Sequence, residues 1–351
     1  MREVGKYTAG AVAAVLAGAV LAGAPATAAA AEGCHWTAAT QPVPDGYRLE
    51  DLGSGDGAGA VAGTLRPKTA GDPLAGVVWR GGTANVLGSA FGLDTTISDV
   101  NSAGVAVGSY AEPHVFGGHE PNHAVRYVDG AYERLPEPPG FVNTTAIRIN
   151  AHGDILGAVG ESGDTGVYRT VVWPADTPGT VRVLPAPHEG FQVPAGIGED
   201  GTVPVAIIGA LPGGGFAGYL WPPGGATTVR LASPAANGAD GEVVPTAIGG
   251  DRVAGYTGDA GVFLWKLDGS IDRPLPGLLR AEAMNAAGDI AGPGDNGSTV
   301  VLPSGGGPAQ IVSTGEQNVD VKELTEEGDI YAAVTTTTPE WRQDVVRWHC
   351  G

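Results

Sequence analysis

Ile149-Asn150-Ala151-His152-Gly153-Asp154-Ile155-Leu156-Gly157 reads as a tight turn feeding a strand, and the same phrase recurs along the chain. Asn at the first position and Gly at the fourth is β-turn chemistry: the amide caps its own backbone, and Gly takes the positive φ that follows. Val100-Asn101-Ser102-Ala103-Gly104-Val105-Ala106-Val107-Gly108 repeats it, Asn285 stands three residues before Gly288, and weaker copies surround Gly59, Gly201, Gly250 and Gly328. The strand after each turn is built of Gly, Ala and Val, residues that allow close backbone approach and so suit the crowded centre of a ring. A bulky strand follows, as in Val77-Val78-Trp79, Val171-Val172-Trp173, Tyr219-Leu220-Trp221 and Phe263-Leu264-Trp265. Hairpin signals at Asp129-Gly130 and Asp268-Gly269 then lead into a strand carrying Leu87, Leu135, Leu184, Leu231, Leu275 or Ile311.

The bulky strands end at Trp79, Tyr127, Trp173, Trp221, Trp265, Leu302 and Trp348, spaced by 48, 46, 48, 44, 37 and 46 residues. That period is the size of a propeller blade. The expectation is an all-β, seven-bladed β-propeller forming one domain over residues 32–351. Its periodic tryptophans are read as packing between neighbouring blades, not as sugar platforms.

No Leu strand can follow Trp348, because the chain ends at Gly351. Tyr47-Arg48-Leu49-Glu50-Asp51-Leu52 has the right pattern and is expected to complete the last blade from the N-terminal side. The two cysteines support such an overlap. They stand in mirror-image triplets, Cys34-His35-Trp36 and Trp348-His349-Cys350, which laid antiparallel put Cys34 opposite Cys350. An oxidising compartment would join them, for a stabilisation of up to roughly 5 kcal/mol in the loop-entropy picture.

Arg2 and Lys6, an apolar run from Ala9 to Ala24 and a small-residue stretch ending at Ala31 have the form of a secretory signal peptide over residues 1–31. The protein is therefore expected to be secreted, extracellular and monomeric. Its net charge of −19, with no Lys/Arg cluster, disfavours nucleic acid and anionic membrane surfaces as partners.

The pattern Ile-Asn-x-x-Gly-x-Ile-x-Gly, followed by His123-Ala124-Val125-Arg126-Tyr127 or an apolar-apolar-Trp equivalent, resembles the extracellular HAF repeat family of secreted bacterial proteins. The likeness runs from about Tyr47 to Trp348, with the eponymous His-Ala-Phe kept only as His123-Ala124-Val125. It implies a repeat propeller and supplies no catalytic residues.

No G-x-S-x-G elbow, EF-hand loop or phosphate loop is present, and the Asp residues beside the repeat glycines are periodic, which makes them turn residues. His114, His119 and His123, with Glu112 and Glu120, have the ligand types of a zinc site. Their spacing matches no compact motif, and Gly117, Gly118 and Pro121 mark an irregular loop, so no metal, cofactor or catalytic residue is assigned. Aperiodic residues gather instead in long connections at 64–76, 109–123, 158–170, 206–218 and 333–344, against short ones at 256–261 and 293–298. Read as joining first and second strands, these lie on one face and offer Tyr110, His114, Phe116, His119, Arg169 and Trp341 as candidate ligand-binding residues. The expected function is binding or scaffolding of an extracellular protein or glycan. The alternative is a secreted polysaccharide hydrolase or lyase with an axial active site.

Overall fold

The computed structural model describes residues 34–113, 121–161, 168–211, 213–225, 227–234, 241–295, 297–313, 318–337 and 342–351. The expected signal peptide, and the candidates His114, Phe116, His119 and Trp341, lie outside them. The described residues form seven four-stranded antiparallel sheets with two short 3-10 turns, Ala90–Gly92 and Gly258–Ala260. Blade 1 comprises Tyr47–Gly55, Ala60–Pro67, Ala75–Arg80 and Thr83–Gly88 from the axis outwards. Blades 2 to 6 follow over residues 95–134, 141–183, 191–230, 244–274 and 283–313. Blade 7 comprises Asn318–Leu324, Ile330–Thr336 and Arg342–Cys350, and its outer strand is Trp36–Thr40.

Each blade thus has one strand more than the repeat unit read from the residues. The Gly-Ala-Val strand is second from the axis, and an irregular inner strand precedes the turn. Gly108 shows what the small residues do. It faces a bulge between Ile97 and Asp99, and a Cβ at this position would lie 1.9 Å from the Thr96 carbonyl oxygen. Gly157 meets the equivalent bulge of blade 3, between Ala146 and Arg148. The long connections consequently join second and third strands, not first and second.

The turn asparagines have two duties. Asn150 Oδ1 accepts from the Asp154 N–H at 2.8 Å within its own turn, while Nδ2 donates to the Gly198 carbonyl of blade 4 at 3.1 Å. Asn101 reaches Asn150 O at 3.2 Å in the same way, and Asn285 reaches Thr325 O at 3.1 Å. All three are buried. The recurring Asn is therefore both turn cap and blade-to-blade strut.

The tryptophans form a second set of struts near the rim. Trp173 Nε1 donates to Pro136 O at 2.7 Å, Trp221 to Pro185 O at 3.1 Å and Trp265 to Ala232 O at 2.8 Å. Every acceptor follows the outer-strand Leu of the preceding blade. Blade 2 has Tyr127 in place of Trp, and its cross-strand partner Tyr132 supplies the equivalent bond, from its hydroxyl to Gly88 O at 3.0 Å.

The same rule identifies the closing strand. Trp79 donates to Pro42 O at 2.7 Å, and Gln41 N–H bonds Val345 O as Leu135 N–H bonds Ala124 O. Gln41 therefore occupies the Leu position of blade 7. The strand that completes this blade is Trp36–Thr40, while the expected segment, Tyr47–Leu52, belongs to the inner strand of blade 1. The Leu pattern does not extend to it because the position holds a buried Gln. The register also differs from the mirror pairing: Trp36 faces Cys350 and Ala38 faces Trp348. Cys34 is then the diagonal neighbour of Cys350, close enough for the disulfide that joins them, with Cα atoms 5.5 Å apart.

Cys34→Ser is expected to destabilise the ring by about 2–5 kcal/mol, read as a lowered midpoint in non-reducing thermal melts. Asn150→Ala removes the acceptor of the half-buried Asp154 N–H and, at the same time, the blade-to-blade bond to the buried Gly198 carbonyl. It should cost about 2–4 kcal/mol in denaturant unfolding, against less than about 0.5 kcal/mol for an exposed turn substitution such as His152→Ala.

Candidate functional site

Strand directions alternate within each blade. The second-to-third and blade-to-blade connections therefore leave from one face, the loop face, while the first-to-second and third-to-fourth turns leave from the other, the turn face.

The loop face carries exposed apolar side chains. Phe91 (59% exposed) and Leu279 (59%) lie in blade-to-blade connections, and Val142 (47%) and Val193 (43%) lie in the inner strands of blades 3 and 4. Phe91 is held in the left-handed region at φ 55°, ψ 20°, a conformation that costs a non-glycine residue about 1–2 kcal/mol. Its ring meets Tyr110 edge-on at 5.1 Å between centroids, and Tyr110 in turn lies 5.1 Å from His123. Tyr110 is thus buried beneath the surface and supports Phe91. His123 is also buried. Its Nδ1 is 2.6 Å from Glu137 Oε1, and its Nε2 is 3.1 Å from Glu112 Oε1. Burial opposes the Glu137 charge, but hydrogen bonds from His123 and Arg134 outweigh it and hold that carboxyl below its ordinary range. Among the described residues no group of three His, Cys, Asp or Glu side chains could hold a metal. Arg169 occupies the position of His123 one blade on, four residues before the aromatic. Its Nη1 is buried and has no hydrogen-bond partner among the described residues.

On the turn face, the inner-strand ends of all seven blades enclose an axial cavity of about 200 Å³. One repeat position, two residues before the start of each turn, circles its wall. Blades 7, 1, 2 and 3 place Glu323, Ser54, Asp99 and Arg148 there; blades 4, 5 and 6 place Gly196, Ala247 and Ala283. One arc is thus charged and the other nearly free of side chains. Residue-by-residue reading of the chain missed this set, because the inner strands were not recognised. The signal was available as charge at a position that elsewhere holds Gly, Ala or Ser.

Asp99 is 3% exposed, with Oδ1 accepting from Val100 N–H and Oδ2 from Ile149 N–H, both at 2.8 Å. Glu323 is half-buried, lines the cavity, and accepts from the Gly55 and Gly57 N–H groups at 3.0 Å each. Burial pushes the Asp99 carboxyl up to about 7, against the pull of Arg148 and the two N–H donors. Burial, and then the Asp99 charge, push Glu323 up to about 8. Arg148 faces both without pairing directly with either; its guanidinium bonds the neighbouring Ile147 carbonyl at 2.9 Å. Around them, Asp56 pairs with Arg80, Lys322 with Asp320 and Glu282 with Arg280.

No family model and no curated protein matches this chain. The propeller domain of the Trilobed protease from Pyrococcus furiosus is similar to it, with a TM-score of 0.58 at 9% identity over 88% of this chain and 94% of that one. That propeller is described as having an open velcro topology, whereas here Trp36–Thr40 closes the last blade. A puromycin-hydrolyzing peptidase of Mycobacterium tuberculosis gives a TM-score of 0.57 at 14% identity, over 88% of this chain and 53% of the peptidase. YCF48 bound to the D1 peptide gives 0.52 at 12% identity, over 90% and 97% of the two chains. At these identities the likeness establishes the fold.

Because Asp99 and Glu323 hold protons in the folded state at pH values where the unfolded chain has lost them, their contribution favours folding most below about pH 4. It is lost as pH rises through about 7 and 8. The thermal midpoint should therefore fall between about pH 5.5 and pH 8.5, and Glu323→Gln should flatten that fall. Melts followed by circular dichroism across this window check it; an equal slope in both proteins would contradict the assignment.

Proposed function

We propose that this chain is an exported binding or scaffolding propeller of the HAF repeat type, a monomer that presents its loop face to an extracellular protein or glycan. The reading rests on one observation: four large apolar side chains are exposed on the same face, and Phe91 is held there at a cost in backbone strain, propped by a buried Tyr110. Exposed apolar groups gathered on one face mark interaction sites more often than scattered ones do, and strain is retained where the surrounding structure imposes it for use. Arg169 adds a cation near this surface. The terminal disulfide accords with an oxidising compartment, and no helix among the described residues is long and apolar enough to cross a membrane.

The raised carboxyls of Asp99 and Glu323 favour a second reading, a polysaccharide hydrolase or lyase working at the axis, since a protonated carboxyl at neutral pH is what a general acid requires. Two features weigh against it. Every carboxylate oxygen of the pair already holds a backbone N–H of the ring. The cavity, at about 200 Å³, has room for one small molecule and not for two sugar rings flanking a scissile bond.

The test is capture of secreted proteins and fragmented cell-wall glycan by the immobilised oxidised protein and its variants. Phe91→Ser with Leu279→Ser should weaken capture at least tenfold, about 1.4 kcal/mol or more, and Glu323→Gln should leave it unchanged. Capture that ignores the loop-face pair, or glycan cleavage lost in Glu323→Gln, would overturn the proposal.

A further inference from the structure

The charged arc and the bare arc of the axial wall belong to one repeat position, so the cavity's asymmetry is local and does not follow from the fold. Were the small residues of blades 4 to 6 replaced by side chains like those of blades 7, 2 and 3, the space would be filled. Gly196, Ala247 and Ala283 leave it open, and the surfaces behind them, Ile197, Ile248 and Met284, are apolar. Opposite stand one cation and two carboxylates. Among the described residues no carboxylate is bonded to Arg148, whose guanidinium bonds the Ile147 carbonyl. Asp99 and Glu323 each use one lone pair per oxygen on backbone N–H groups and keep others that can accept. Of the remaining charges of the wall, Asp56 pairs with Arg80, Lys322 with Asp320 and Glu282 with Arg280, Glu199 accepts from Ala151 N–H with His152 3.5 Å away, and Glu326 accepts from Ala286 N–H. The cavity thus presents an acidic end at Glu323 and Asp99, a basic end at Arg148 and an apolar side across from both. At about 200 Å³ the cavity is below the roughly 300–1,000 Å³ of pockets for drug-sized ligands and suits a smaller molecule.

We propose that the axial cavity binds a free apolar α-amino acid as its zwitterion: the carboxylate on Arg148, the ammonium between Glu323 and Asp99, and the side chain against Ile197, Ile248 and Met284. The match is in charge order as well as size. An anion alone would meet two carboxylates, and a cation alone would meet Arg148. Because the empty site holds protons on its carboxyls near neutral pH, entry of an ammonium group displaces them, and binding should release protons. The site is on the opposite face from the partner surface proposed above and does not depend on it.

The probe is L-leucine, titrated calorimetrically into the oxidised protein at about pH 7.5 in two buffers of different ionisation enthalpy. Leucine should bind with proton release, seen as a buffer-dependent heat. Leucinamide, which lacks the carboxylate, and N-acetylleucine, which lacks the ammonium, should bind at least tenfold more weakly. Arg148→Met should weaken leucine at least tenfold. The unliganded melting midpoint should hardly move, because the hydrogen bond the Arg148 guanidinium makes is to the adjacent Ile147 carbonyl. Ala247→Leu, which fills the bare arc, should abolish binding, whereas Phe91→Ser should not affect it. The proposal is overturned if leucine shows no binding at 10 mM, if leucine and its amide bind equally, or if Ala247→Leu binds as the parent protein does.

Discussion

The first and last members of this ring of sheets are tied, and the tie is the strand Trp36–Thr40 laid against Arg342–Cys350. The seam between blades 7 and 1 is reinforced at every radius. Glu323 caps two N–H groups of blade 1 at the axis, Glu326 N–H bonds Gly57 O, and the Tyr331 hydroxyl reaches Gly59 O. Towards the rim, Trp79 bonds Pro42 O and the disulfide fastens the strand that carries it. Among the described residues no other seam has a disulfide beside it. Where the chain could have opened, backbone, side-chain and covalent links coincide.

The periodic parts of the fold were legible because they answer to chemistry that a residue type reveals. Asn before Gly means a turn, small residues mean close approach, and a recurring Trp means a filled position between sheets. The inner strands were not legible. They are bulged where the second-strand glycines face them, and their residues differ from blade to blade, as Ser54, Asp99, Arg148 and Gly196 show at one shared position. The closing strand was misplaced because it carries Gln41 where its equivalents carry Leu, a difference in one side chain at a position set by backbone bonds. The cysteine pairing was legible from composition, but its register was not. Symmetry of the two triplets suggested direct opposition, while the hydrogen bond from Gln41 fixes a shift of two residues.

The candidate sites divide along the same line. Tyr110 was picked out as aperiodic, and it proves to be a prop beneath Phe91, a residue the chain gave little reason to select. Arg169, expected in the 158–170 connection, lies instead in the third strand of blade 3, Tyr168–Trp173, where the residue after Pro185 is Ala186 and not the Glu137 that follows Pro136 beside His123. The axial set escaped notice because charge in an inner strand looks like ordinary polarity until the seven strands are superposed. Only then does it stand out against Gly and Ala.

The strand at the rim of blade 7 is made first and its partner last. During synthesis residues 36–40 have nothing to pair with until residues 342–350 emerge, so the middle blades can form early while the circle must wait for that strand. Contacts of such sequence separation are slow to form. A chain cut short before Arg342 would leave two unfinished sheet edges exposed, and such edges readily recruit other chains. The arrangement makes completeness of the polypeptide a condition of its solubility.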